Sequence, residues 1–376
     1  MALPLKGLRV IDLTQDFAGP FCTMILADLG AEVIKIERPG SGDETRAWGP
    51  PFINGQSYYF LSLNRGKKSV ALDIKLSASQ KIIRQMVHDS DILVESFRPG
   101  RLARYKLDYA SLRPVNKALV YCSITGFGQT GPYRDRPAYD LVAFAMSGIM
   151  ATTGEEGRPP VRVSIPVADI ASGHYASTAI LACLSRRLVT GRGEYIDISL
   201  YDSIVSWLTT LATYYFATGK EPARMGSAHA SIVPYQAFQC QDEPLVVAVG
   251  NDGQWSRFCA ALRLEKLSVD PRFRTNPRRV KNRNLLIPIL SKFLRKKRAS
   301  YWSSRLTEAG VPAATVYSVE DVSKDRQVKH RRLLIPAGLG MYTTSSPIRF
   351  LRVDKRSSSP APRLGQHTRR VLREFQ

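Results

Sequence analysis

Asp169 stands where an apolar, strand-like run, Val161–Val167, gives way to a helical stretch, Asp169–Leu188. A carboxylate at a helix start meets free backbone N–H groups and the positive end of the dipole, which would keep it ionised and fixed as a nucleophile. The same residue type is also a favoured helix cap, so the pattern alone leaves both roles open. Gly173, one turn later, would let another chain or a ligand approach the helix closely. Two glycine-rich stretches, Ile124–Pro132 (ITGFGQTGP) and Gly250–Gln254 (GNDGQ), could turn backbone N–H groups toward an oxyanion or phosphate, or could be ordinary loops. His88, His174, His229, His330 and His367 have no metal-ligand spacing, and no serine sits in a GxSxG elbow. Cys22, Cys122, Cys183, Cys240 and Cys259 are scattered, without a CxxC pair, and read as buried packing residues.

The elements that must hold these groups follow from hydrophobic periodicity. Leu8–Leu13, Glu32–Glu37, Ser69–Ile74, Asp91–Ser96 and Leu119–Gly126 read as buried strands alternating with helices such as Phe21–Leu29 and Ser79–His88. That alternation predicts an α/β fold with a Rossmann-like, doubly wound parallel sheet. The turn after the first strand is TQDFAGP and not GxGxxG, which argues against a simple NAD or FAD site. TQDFAGP, ERPGSGD, SFRPG and ITGFGQTGP all fall at carboxyl ends of strands, where open α/β sheets bind ligands. Past Gly226, the strand Pro244–Gly250, the helix Gln254–Leu262 and the basic helix Asn284–Arg298 predict a smaller α/β domain. A Ser- and Pro-rich run, Ser357–Pro362, then leads to a terminal helix.

With 376 residues, two domains are expected. At 44% hydrophobic and 23% charged residues the composition is that of a globular protein, with no run of 18 uninterrupted apolar residues. No membrane partner is expected, and the first residues, MALPLKGLRVIDL, read as strand and not as a targeting peptide. The net charge of +22 is concentrated late: from Arg272 onward lie 25 of the 54 Lys and Arg but 6 of the 32 Asp and Glu. Such a surface attracts polyanions, so nucleic acid, anionic lipid and a phosphate-rich substrate are all compatible with it.

Taken together, LKGLRVIDLT, FAGPFCTMILADLGAEVIKIERPGSGDETR, NRGKKSVALD, VESFRPG, YCSITGFGQTGP, TGRGEYIDISLYDS, SIVPYQAF and LGQHT resemble, in order and over nearly the whole length, the class III CoA-transferases. SAHASIVPYQAF and RLGQHTRRVL are most similar to the family's dicarboxylate-specific mitochondrial branch, which moves CoA from succinyl-CoA to glutarate. The resemblance implies a large domain from residues 1–224 and 326–376, a small domain from 225–325, and an interlocked homodimer. It further implies that Asp169 is acylated, that Arg38, Leu72, Phe97 and Arg104 hold the adenine and phosphates of CoA, and that Tyr139 is an active-site tyrosine. Gly250, Gly253 and Gln254 match a glycine loop that covers the intermediate. The CoA thioester would be a substrate, with no tightly bound cofactor, and the expected compartment is the mitochondrial matrix in a eukaryote, otherwise the cytoplasm. Phe17 stands where formyl-CoA:oxalate transferase has an amide, Ser96 replaces an asparagine and Pro137 a lysine, beside Arg136; these departures argue against oxalate. Two rivals are α-methylacyl-CoA racemase, which needs a histidine where Tyr139 stands, and a nonenzymatic polyanion-binding protein using the basic C-terminal third.

Overall fold

The computed structural model describes residues 2–353 and 359–375; Ser357 and Ser358 of the Ser- and Pro-rich run lie outside them. The chain divides into two compact units: residues 1–150, 162–218 and 326–376 form one, and residues 151–161 and 219–325 the other. The second unit therefore starts at 219, upstream of the expected 225, and takes in 151–161 as well.

Six strands build the sheet of the first unit: β1 (Arg9–Leu13), β2 (Glu32–Glu37), β3 (Lys67–Ala71), β4 (Ile92–Glu95), β5 (Val120–Thr125) and β6 (Glu194–Ser199). Their order is β3-β2-β1-β4-β5-β6, and every neighbouring pair is parallel. This is the doubly wound order, and its direction reverses between β1 and β4, which opens a crevice at their carboxyl ends. Both faces of the sheet carry buried apolar residues because helices cover both. On one side Val10, Val33, Val94, Val120 and Ile196 pack against α1 (Ala18–Asp28) and the long helix α3 (Val167–Thr190). On the other, Ile11, Ile34, Val70 and Leu93 meet Ile83, Met86 and Val87 of the helix Ser77–His88, together with Val371 and Phe375 near the chain end. The terminal helix is short, Thr368–Leu372.

By length and composition α3 is apolar enough to cross a bilayer, yet Ala171, Ala176, Ile180 and Leu184 face the core. Its partner is α1. An added Cβ at Gly173 would lie 2.8 Å from the Ala18 carbonyl oxygen and 2.8 Å from the Phe21 ring, so glycine permits the two helix backbones to touch. The close approach expected at Gly173 is thus made by α1.

The apolar run before α3 differs from its expected form. Val161–Val167 reads as a strand by its alternating β-branched residues, but no strand forms there, and Val161, Val163 and Ile165 are exposed. No neighbouring strand offers that backbone a ladder, and β-branching alone does not make one.

The second unit holds a three-stranded antiparallel sheet of β7 (Tyr235–Gln239), β8 (Pro244–Ala248) and β9 (Ala313–Thr315). Its own core gathers Phe238, Leu245, Val247, Trp255, Phe258, Leu290 and Trp302.

Candidate active site

Beneath the crevice lies a buried lattice of charge. Asp12 on β1, Lys35 on β2 and Lys67 on β3 are fully enclosed by the sheet and its helices. Lys67 Nζ pairs with Asp12 Oδ2 at 3.1 Å and donates to the Pro20 carbonyl and Asn64 Oδ1, each at 2.9 Å. Lys35 Nζ pairs with Asp43 Oδ2 at 2.8 Å and donates to the Thr14 carbonyl at 2.7 Å. Burial opposes the charge on Asp12, but Lys35 and Lys67 outweigh it and hold the carboxyl well below the usual carboxylate range. Buried pairs of this kind contribute little net stability, while loss of one member leaves an uncompensated ion. Their use here is geometric: they pin the Thr14–Phe17 turn, whose Gln15 N–H also reaches across the switch point to Ser96 Oγ at 2.9 Å.

Above that turn is a cavity of about 650 Å³ whose lining includes Asp16, Phe17, Tyr59, Tyr139, Asp140 and Asp169. Asp169 is half-buried and is the third residue of α3, whose cap position is Pro166, with no side-chain cap of its own. The helix start is satisfied from elsewhere. Asp140, first residue of α2 (Asp140–Met146), accepts the N–H of Ala168 at 2.7 Å and that of Asp169 at 3.4 Å on its Oδ1. The expectation that the helix end keeps Asp169 ionised is therefore overturned, because the donors serve Asp140. Burial, then the charges of Asp140 and Asp16, push the Asp169 carboxyl up to about 8. The result is a carboxylate of raised basicity, a better nucleophile once ionised.

Tyr139 lines the same cavity at its rim, 59% exposed, and its phenol is raised above the usual range chiefly by Asp16. Arg162 brings a cation to the lining. Arg38 is exposed just past β2, and Leu72 is half-buried just past β3, its N–H donating to the Glu37 carbonyl at 2.9 Å. Phe97 is half-buried past β4, with its N–H on Glu95 Oε2 at 2.7 Å, and Arg104 is exposed on the helical turn Leu102–Tyr105. These four follow β3, β2 and β4 at the carboxyl edge of the sheet; none lines the Asp169 cavity itself.

Gly250, Gly253 and Gln254 belong to the second unit. The Gly250 N–H donates to Gln254 Oε1 at 2.7 Å, and the Gln254 N–H to Asn251 Oδ1 at 2.8 Å, capping α4 (Asp252–Ala261). The loop is thus closed on itself, with Gly250's donor taken up by Gln254.

Two residues of the cavity, Asp16 and Asp140, carry no role in the sequence reading. Asp140 was signalled by its place directly before the apolar helical run LVAFAM, but the helix it caps begins far along the chain. Asp16 lies inside TQDFAGP, where an aspartate passes for a turn former.

Residues 5–368 match the sequence profile of CoA-transferase family III. The chain is 44% identical to succinyl-CoA:glutarate CoA-transferase of Mus musculus, over 99% of this chain and 86% of the mouse protein. It is 40% identical to acetyl-CoA:oxalate CoA-transferase of Acetobacter aceti, over 99% of this chain and 96% of that one. A crystal structure of a CAIB/BAIF family protein from Brucella suis superposes with a TM-score of 0.90 at 40% identity, covering both chains completely. With a family match over almost its whole length and relatives of this identity, the chain belongs to CoA-transferase family III, and it is a CoA-transferase.

Proposed function

We propose that this enzyme moves CoA from succinyl-CoA to glutarate or a similar dicarboxylic acid, with Asp169 carrying the acyl group. The observation that carries the reading is the placement of Asp169: a half-buried carboxylate of raised basicity in a cavity at the switch point of the sheet. The acids in the relatives' names, glutarate and oxalate, are both dicarboxylic, which supports that acceptor class. Phe17 in the lining offers no side-chain donor for a small acid such as oxalate, which favours the longer one.

In the first step an Asp169 oxygen attacks the thioester carbonyl, the C–S bond breaks, and a mixed anhydride and CoA thiolate result. The thiolate then attacks the Asp169 carbonyl carbon, forming aspartyl-CoA and releasing the first acid as its carboxylate. The acceptor carboxylate attacks that thioester, and the thiolate finally takes the acceptor's acyl carbon, freeing Asp169. Each step exchanges one activated acyl bond for another, so no external energy source is needed. Water must be kept from the anhydride while it lasts.

Arg38 and Arg104, exposed guanidiniums past the two strands that flank β1, suit the CoA phosphates, and the half-buried Leu72 and Phe97 suit its adenine. Homodimerisation is supported by the helix Thr209–Thr218, which buries none of its residues while exposing Tyr214, Tyr215 and Phe216. The racemase alternative gains nothing from Tyr139, since a neutral phenol is a poor base near pH 7.

Asp169→Asn should abolish transfer while CoA binding persists, and hydroxylamine added during turnover should convert Asp169 to a hydroxamate. An unmodified Asp169 in an actively transferring enzyme would refute the assignment.

A further inference from the structure

Three features single out Asp16. Its backbone is in the left-handed region, φ +66°, where a non-glycine residue is held only when its surroundings over-determine it. They do so here, through the Lys35 bond to the Thr14 carbonyl on one side and the Gln15 bond to Ser96 on the other. Its side chain lines the Asp169 cavity. Finally, its Oδ1 is buried, and among the described residues nothing hydrogen-bonds to it. A strained turn thus sets the Asp16 side chain in the wall of the reacting cavity, with one carboxyl oxygen, Oδ1, packed inside without a protein partner and the other left to serve the cavity.

Resting on the CoA-transfer reading, we infer that Asp16 is a specificity-determining residue that, as the neutral acid, donates a hydrogen bond to the second carboxylate of a dicarboxylic substrate. Once ionised it repels that carboxylate. The groups facing it are Asp43, Glu44 and Lys35 on the β2 side, Tyr59, and Tyr139, Asp140, Arg162 and Asp169 around the cavity. Lys35 is already engaged by Asp43, so the local balance is acidic. Burial first, then Asp43 and Glu44, push the Asp16 carboxyl up to about 6 against the opposing pull of Lys35. The neutral donor is thus available at mildly acidic pH, as a protonated carboxyl can be when its site disfavours charge. A monocarboxylic acid of equal length has nothing to offer this donor.

Steady-state kinetics with succinyl-CoA as donor test this, comparing glutarate with pentanoate at pH 6.0 and 8.0. In the wild type, KM for glutarate should rise about fiftyfold between the two as the competent fraction falls, while KM for pentanoate stays level. Asp16→Asn keeps a donor and tolerates the left-handed backbone. It should remove most of the rise in KM, and its kcat should keep a single inflection, from Asp169, moved slightly downward because the Asp16 charge no longer opposes that carboxyl. An Asp16→Asn enzyme with the wild-type rise in glutarate KM, or one with no turnover at all, overturns the inference. A wild type without transfer activity would defeat the CoA-transfer reading as well, which separates the two failures.

Discussion

The carboxylate of Asp140 caps the helix that carries Asp169, taking the Asp169 N–H at 3.4 Å and the Ala168 N–H at 2.7 Å on one oxygen. One acid thereby positions another and simultaneously raises its basicity, being the largest charge acting on Asp169 after burial. A nucleophilic carboxylate must be ionised, so in the free enzyme activity should climb as pH rises through about 8, the value to which Asp169 is pushed.

Asp140→Asn separates the two roles. The amide oxygen can still accept the helix N–H groups, but the negative charge is gone, so the inflection in kcat/KM should move to lower pH and activity at pH 6 should increase. Asp140→Ala should in addition lose about 1 kcal/mol of stability with the cap. A pH–rate profile and a denaturant melt of both variants check this; an unmoved inflection in Asp140→Asn would show that its charge does not act on the nucleophile.

Gly173→Ala tests the helix contact. In an isolated helix the change would gain about 1 kcal/mol. Here the new methyl group meets the Ala18 carbonyl oxygen at 2.8 Å, and a backbone atom cannot rotate away. Overpacking should outweigh propensity and destabilise by about 1–3 kcal/mol. Because Ala18 follows the Asp16 turn closely, activity should fall further than stability does, read as kcat at a temperature where the variant remains folded.

Phe216→Asp probes assembly. Phe216 is 84% exposed on a helix with no buried residue. If that face meets a second copy, the charge should shift the sedimentation coefficient from dimer to monomer, with far-UV circular dichroism unchanged. A variant that sediments like the wild type would place the dimer contact elsewhere.

How far the sequence alone carries this description depends on whether the signal is local. The strands of the large sheet were legible because each is an apolar run bounded by turn residues, and the observed β1, β2, β4 and β5 lie within or match the expected spans. β3 starts two residues earlier than expected and ends three earlier, Lys67–Ala71; its start was hidden because Lys67, polar by type, faces a buried charge lattice that only the fold creates. Asp169 was legible as a residue at a helix start, but its ionisation was misjudged, because the acid that takes the helix donors is 29 positions away. Val161–Val167 shows the opposite error: alternation was present, but a strand needs a partner and none is adjacent. Asp16 was not legible at all, since left-handed backbone and a vacant buried oxygen are tertiary facts.

The glycine contact between α1 and α3 has an evolutionary corollary. Backbone meets backbone there, so at Gly173 itself no side chain can be added between the helix of the nucleophile and the one that follows the Asp16 turn. A change in the length of acid accepted is then expected from other lining positions, such as Trp48, Tyr139 and Leu141.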